Sequence, residues 1–246
     1  MKRTTLLLAA VCLCLIRFDL LPAQGTSLAR VVFDQAHGEL PPPVQLDAVA
    51  KKLGLEIRTS TEPITAATLA GARILYLRAP SKEFTAAETE AIVAFVKAGG
   101  ALLLVLDEER RQSLERTGAN NLITPFGMRL TLDTKYLHNN GGIAQTGEIN
   151  KADREVPFSG GRAVEGGTAF AFQLDREGNL AQPFGAYKRL NTGGRIVVLG
   201  EGMASLFLGD RAGVRLSGVP NDPRRTTYWG KDSAIFMEEV LSWLSR

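Results

Sequence analysis

The stretch Thr85 to Leu106, TAAETEAIVAFVKAGGALLLVL, decides the class of fold. It opens on a capping box, in which the Thr85 hydroxyl accepts from the backbone N–H of Glu88 and the Glu88 carboxylate reaches back to the N–H of Thr85. Ile92, Val93, Phe95 and Val96 then share one helical face, and Gly99-Gly100 supplies the left-handed stop. The run Leu102 to Leu106 is apolar without alternation. Strands of that kind are expected where helices cover both faces of a parallel sheet.

The same rhythm extends towards the N-terminus. RVVFD at 30–34, residues 55–59 and RILYL at 73–77 read as strands. A helix is expected from Val44 to Leu53, entered through Pro41-Pro42-Pro43 and stopped by Gly54, while Ile64 to Leu69 is at most a short helix. Residues 29–107 are therefore expected to form a doubly wound core with right-handed βαβ crossovers. From about Arg110 to Ala186 the helical periodicity fades. Thr131 to His138 and Thr168 to Leu174 read as strands, and Asn139 to Gly142 and Gly160 to Gly167 as turns or mobile loops, so this segment is expected to be a β-rich insertion. RIVVL at 195–199 returns to the buried-strand pattern, and Asp232 to Leu244 reads as a closing amphipathic helix. The expected fold class is α/β, an open, mostly parallel, doubly wound sheet.

Lys2 and Arg3 precede an apolar run, Leu6 to Ile16, that is too short to cross a bilayer core of about 30 Å. With Pro22-Ala23-Gln24-Gly25 as a small-residue exit, residues 1–25 read as a signal peptide and 26–246 as one domain, which implies a periplasmic or secreted protein. Membrane contact is expected only through an uncleaved leader. Both cysteines, Cys12 and Cys14, lie in that leader, so the domain behind it has neither a thiol nucleophile nor a disulfide. The chain carries a net charge of +3, most of it in the leader, and its remaining basic residues are scattered among acids. That pattern excludes nucleic acid as an expected partner.

In an open parallel sheet, ligands bind beyond the carboxyl ends of the strands. Asp34, His37 and Glu39 follow the first strand; Arg78, Ser81, Lys82 and Glu83 the third; Asp107, Glu108 and Glu109 the fourth; Glu201 and Ser205 the strand at 195–199. Asp34, His37 and Glu39 combine carboxylate and imidazole chemistry suited to a divalent metal or to a base with its orienting partner, although their spacing matches no standard metal motif. A histidine bonded to a neighbouring carboxylate as a loop anchor is the commoner use of such a group. His138, the other histidine, reaches this site only if the insertion folds over the sheet edge. Ser205 lies five residues past Gly200, too far for a nucleophile elbow. Arg78 with Ser81 and Lys82 is placed to hold an anionic or sugar group, and Tyr228 and Trp229 are candidate sugar-stacking rings.

Val31-Val32-Phe33-Asp34-Gln35-Ala36-His37-Gly38-Glu39, followed by Ala79-Pro80-Ser81-Lys82-Glu83-Phe84-Thr85, resembles the GIFT-type domain shared by gliding-motility transporter subunits and an intraflagellar-transport subunit. Phe95 to Gly100, Tyr136-Leu137-His138, Gly147 to Asn150 and Gly194 to Gly200 look like later parts of the same pattern. The resemblance implies a class I glutamine-amidotransferase-like architecture without the catalytic cysteine, and a domain that binds glycans or proteins. The expected function is an exported, non-catalytic binding domain recognising a carbohydrate or a protein at the strand ends, with no cofactor. A hydrolase using His37 with Asp34 or Glu39, metal-assisted or not, and a subunit of an envelope transport complex are the alternatives.

Overall fold

The computed structural model describes residues 29–43, 45–134, 141–158, 160–205, 215–217, 226–228 and 230–246. The leader at 1–25, His138 and Trp229 lie outside these residues. The first half is the expected alternation: β1 (Ala29–Asp34), α1 (Leu46–Lys52), β2 (Leu55–Ser60), β3 (Ala72–Arg78), α2 (Ala86–Lys97) and β4 (Ala101–Val105). The capping box of α2 is present in both directions. Residues 64–70 form turns rather than a helix, because the Thr65 and Thr68 side chains satisfy the local backbone groups instead.

Short helices α3 (Leu114–Thr117) and α4 (Ala119–Ile123) precede β5 (Arg129–Asp133), β6 (Gly142–Ala144), β7 (Arg154–Val156), β8 (Arg162–Glu165), β9 (Thr168–Leu174), β10 (Leu180–Arg189) and β11 (Arg195–Leu199). A small pair, β12 (Arg215–Ser217) and β13 (Thr226–Tyr228), and the closing helix α5 (Ser233–Ser245) complete the chain. Nine strands make one mixed sheet in the order β2-β1-β3-β4-β11-β10-β9-β6-β7. The strands from β2 to β11 are parallel, and those beyond β11 are antiparallel. The segment expected as an insertion thus supplies β6, β7, β9 and β10 to the main sheet, and β5 pairs with β8 in a small sheet of its own.

Apolar side chains alternate between the two faces. Val31, Phe33, Ile74, Tyr76, Leu103, Val105, Val197 and Leu199 join Leu46 of α1 and Phe236, Val240, Leu241 and Trp243 of α5 in one core. Val32, Leu75, Leu77, Leu102, Leu104, Ile196 and Val198 join Ile92 and Val96 of α2 and Leu122 and Ile123 of α4 in the other. Both faces of the parallel half are covered, which is why its strands read as continuous apolar runs. Among the described residues no helix is long and apolar enough to cross a membrane.

Candidate functional site

The loop after β1 and the loop after β3 meet at the point where the strand order reverses, and they are bonded to one another. The backbone N–H groups of Ser81 and Lys82 both donate to the carbonyl of His37, each at 2.9 Å. The Ser81 hydroxyl donates to the carbonyl of Gly38 at 3.0 Å, and Lys82 Nζ lies 3.5 Å from that of Ala36. Leu40 donates its N–H to the carbonyl of Arg78 at 3.2 Å, and Arg78 Nη1 donates to the carbonyl of Pro41 at 2.6 Å. The crevice that accepts ligands in open sheets is therefore lined here by two loops that satisfy each other's polar groups.

His37 is buried within this seam, stacked on Phe84 with ring centroids 4.2 Å apart. Its Nδ1 is 2.6 Å from Asp34 Oδ2 and its Nε2 is 3.2 Å from Glu88 Oε1. Burial pushes the imidazole pKa down, but the hydrogen bond to Asp34, the charge of Asp34 and the contact with Glu88 outweigh it, so the net direction is upward from 6.5. Glu88 opposes burial with more numerous bonds: it accepts from the Thr85 hydroxyl at 2.7 Å, the Thr85 N–H at 3.0 Å and the Ile64 N–H at 3.1 Å, and its pKa is lowered. Glu39 accepts from the His37 N–H at 2.9 Å. Burial, followed by its contact with Asp34, pushes its carboxyl up to about 9.

Asp34, His37 and Glu39 thus come together as expected, with ligand atoms within 4.8 Å of one another. Such a set has the chemistry of a divalent-cation site. Each ring nitrogen of His37, however, already faces a carboxylate, and two carboxylate acceptors require two N–H donors. No imidazole lone pair is then left for a metal or for abstracting a proton.

Arg78 and Ser205 also meet: Arg78 Nε donates to Ser205 Oγ at 3.1 Å, and Ser205 donates to the carbonyl of Gly202 at 2.7 Å inside a 3-10 turn, Gly202–Ser205. Among the described residues no base is bonded to the serine hydroxyl. The residue after Arg78 is the one non-glycine with positive φ among the described residues, Ala79 at 54°, and it is held by its N–H bond to the carbonyl of Val105 at 2.9 Å. A left-handed alanine stores strain that glycine does not. Ala79→Gly is expected to raise stability by about 1 kcal/mol, read as a higher denaturant midpoint with an unchanged slope.

Glu108 and Glu201 follow β4 and β11. They converge on Gly160, whose N–H donates to Glu201 Oε2 at 3.3 Å and whose α-carbon leaves little room beside the Glu108 carboxylate. Glu108 also pairs with Arg110. The group that sequence reasoning missed is Arg162, fully buried where turns were expected. It has no one-dimensional signature, whereas Glu88 was visible as a cap but not as a histidine partner. The candidate residues therefore form three groups, Asp34-His37-Glu39 with Ser81 and Lys82 bonded to its loop, Arg78-Ser205, and Glu108-Glu201.

The IFT52 GIFT domain profile matches residues 30–187. The chain therefore belongs to the IFT52 GIFT domain family. It is 28% identical over 144 residues to the intraflagellar transport protein 52 homologs of Mus musculus and Homo sapiens, a match covering 53% of this chain and 32% and 31% of theirs. The matched region is thus about a third of the length of those curated relatives. The solved "mmIFT52 N-terminal domain" is similar in fold, with a TM-score of 0.63 at 18% identity, over 88% of this chain and 97% of that one. Relatives named for transport inside the flagellum overturn the expectation of a periplasmic or secreted protein.

Proposed function

We propose that this chain is a non-catalytic, protein-binding subunit domain of a transport assembly of the intraflagellar kind, presenting its strand-end face to a partner. The observation that carries this reading is the spent imidazole: His37 is sealed between Asp34 and Glu88, so the group best suited to general-base chemistry is a fastener. The names of the relatives support a protein partner rather than a carbohydrate. Trp243, which sugar recognition would want exposed, is 1% exposed and lies beneath Arg195. The order β2-β1-β3-β4-β11 with helices on both faces, and the strained turn after β3 that holds alanine, support kinship with class I glutamine-amidotransferase-like domains.

The full chain, tagged and expressed in the cells it comes from, is expected to co-purify with other subunits in fixed proportion. Lys82→Glu, at the exposed rim of the seam, is expected to release them without lowering the melting temperature. Turnover of an ester, amide or glycoside that vanishes in His37→Ala would overturn the reading.

A further inference from the structure

Among the described residues Arg78 has no counter-ion. It is only 4% exposed, and both of its acceptors, the Pro41 carbonyl and Ser205 Oγ, are neutral. No described residue accepts from Nη2, and no described carboxylate lies within ion-pair distance. Burial draws its pKa down, and the charged or titratable group that acts on it is the Tyr76 phenol, not an acid. Two other arginines do have carboxylate partners. Arg162 has Glu109 at 2.9 Å, and Arg154 has Glu239 at 2.7 Å.

A guanidinium does not escape burial by losing its proton, so an uncompensated one is costly wherever water is excluded. A second polar group shares its surroundings. Tyr76, two residues earlier on the same face of β3, holds a fully buried hydroxyl beside Ser205 without a hydrogen bond of normal geometry. The strained Ala79 follows directly, and all of these groups stand at the end of β3 beside the switch point of the sheet.

We infer that Arg78 is the docking point for a carboxylate of the protein partner, an Asp or Glu side chain or a chain terminus, received at Nη2 of its guanidinium. The inference rests on the protein-binding reading above and specifies its chemistry. Carboxylate is favoured over phosphate by charge: one buried guanidinium matches one negative charge, whereas a phosphate dianion requires a second cation at the same depth. Lys82, four residues on, is exposed and faces the Ala36 carbonyl.

The full chain, titrated with sodium acetate at constant ionic strength, is expected to show a saturable shift of the Arg78 Nε–Hε resonance that exposed Arg110 and Arg189 do not share. Equal, unsaturated shifts at all three would mean binding by bulk charge only and would overturn the inference, as would saturation by inorganic phosphate but not by acetate. Arg78→Met, a neutral side chain of similar length, is expected to keep or raise the melting temperature while weakening subunit capture about tenfold or more. If Arg78→Met lowers the melting temperature, Arg78→Lys, which keeps the charge, separates folding from capture by being measured at matched stability. Capture that survives Arg78→Met but is released by Lys82→Glu sinks the carboxylate anchor and leaves the binding function standing. Absence of any complex with the unsubstituted chain sinks the binding function itself.

Discussion

Arg162→Ala is expected to destabilise the domain by about 3–5 kcal/mol. Arg162 is fully buried on β8 and donates from Nε to the Asp107 carbonyl at 2.6 Å, from Nη2 to that of Gln112 at 2.6 Å and from Nη1 to that of Thr131 at 3.3 Å. It also pairs with Glu109 at 2.9 Å. These partners belong to the turn leaving β4 and to β5, so one side chain fastens the small β5-β8 sheet to the end of the parallel core. Truncation strands three carbonyls and leaves a cavity, and each buried group left without a partner costs about 1–3 kcal/mol. Stabilities of folded domains are about 5–15 kcal/mol, so the variant is expected to lose a large part of its margin. Arg162→Lys keeps the charge but not the fork, and is expected to recover less than half of the loss. An unfolding free energy within about 0.5 kcal/mol of the unsubstituted protein would mean that the side chain is solvated.

The parallel core was legible because its signals are local. The Thr85-Glu88 box, the glycine stop at 99–100 and the unbroken apolar strands each encode their structure within a few residues, and the register of β1, β3, β4 and β11 follows from burial on both faces. In the antiparallel half β9 was legible as the strand Thr168 to Leu174, but β10 was not, for an equally physical reason. In β10, Pro183 and Gly185 sit among register shifts against β9, so the alternation that marks a strand is broken where the bulges re-aim its side chains. Just before β8, glycines at 160 and 161 suggested a loop. Gly161 and Gly200 instead allow two backbones to approach so closely that a Cβ at 161 would lie 2.1 Å from the Gly200 carbonyl oxygen. The site divided along the same line. Positions at strand ends were predictable from topology, but the ion pairing of His37 with Glu88 spans 51 positions of sequence and depends on how α2 packs over β1, which no spacing encodes.

The second large effect is expected at that pairing. His37→Leu fills much of the same volume but donates nothing, leaving Asp34, which is 0% exposed, and Glu88 without the cation between them. Breaking a buried pair from one side costs about 3–5 kcal/mol, and the loss should appear in full at pH 6, where the imidazole is charged. Because the folded pKa of His37 is raised, its contribution is fully present below about 6.5 and fades as pH rises through the folded value. Glu39 acts with the same sign. Its folded carboxyl is pushed from 4.5 up to about 9, so the folded state holds a proton that the unfolded chain has released, and stability declines across that interval as pH rises. A single group in this position contributes at most about 1.4 kcal/mol per pH unit. The melting temperature is therefore expected to fall steadily from pH 6 to pH 9. His37→Leu should be lower than the unsubstituted protein at pH 6 and converge towards it at pH 9, whereas Glu39→Gln should flatten the alkaline fall and exceed the unsubstituted protein there. A melting temperature that stays level or climbs between pH 6.5 and 9 is incompatible with both protons, and the seam would then have to be held by its backbone bonds alone.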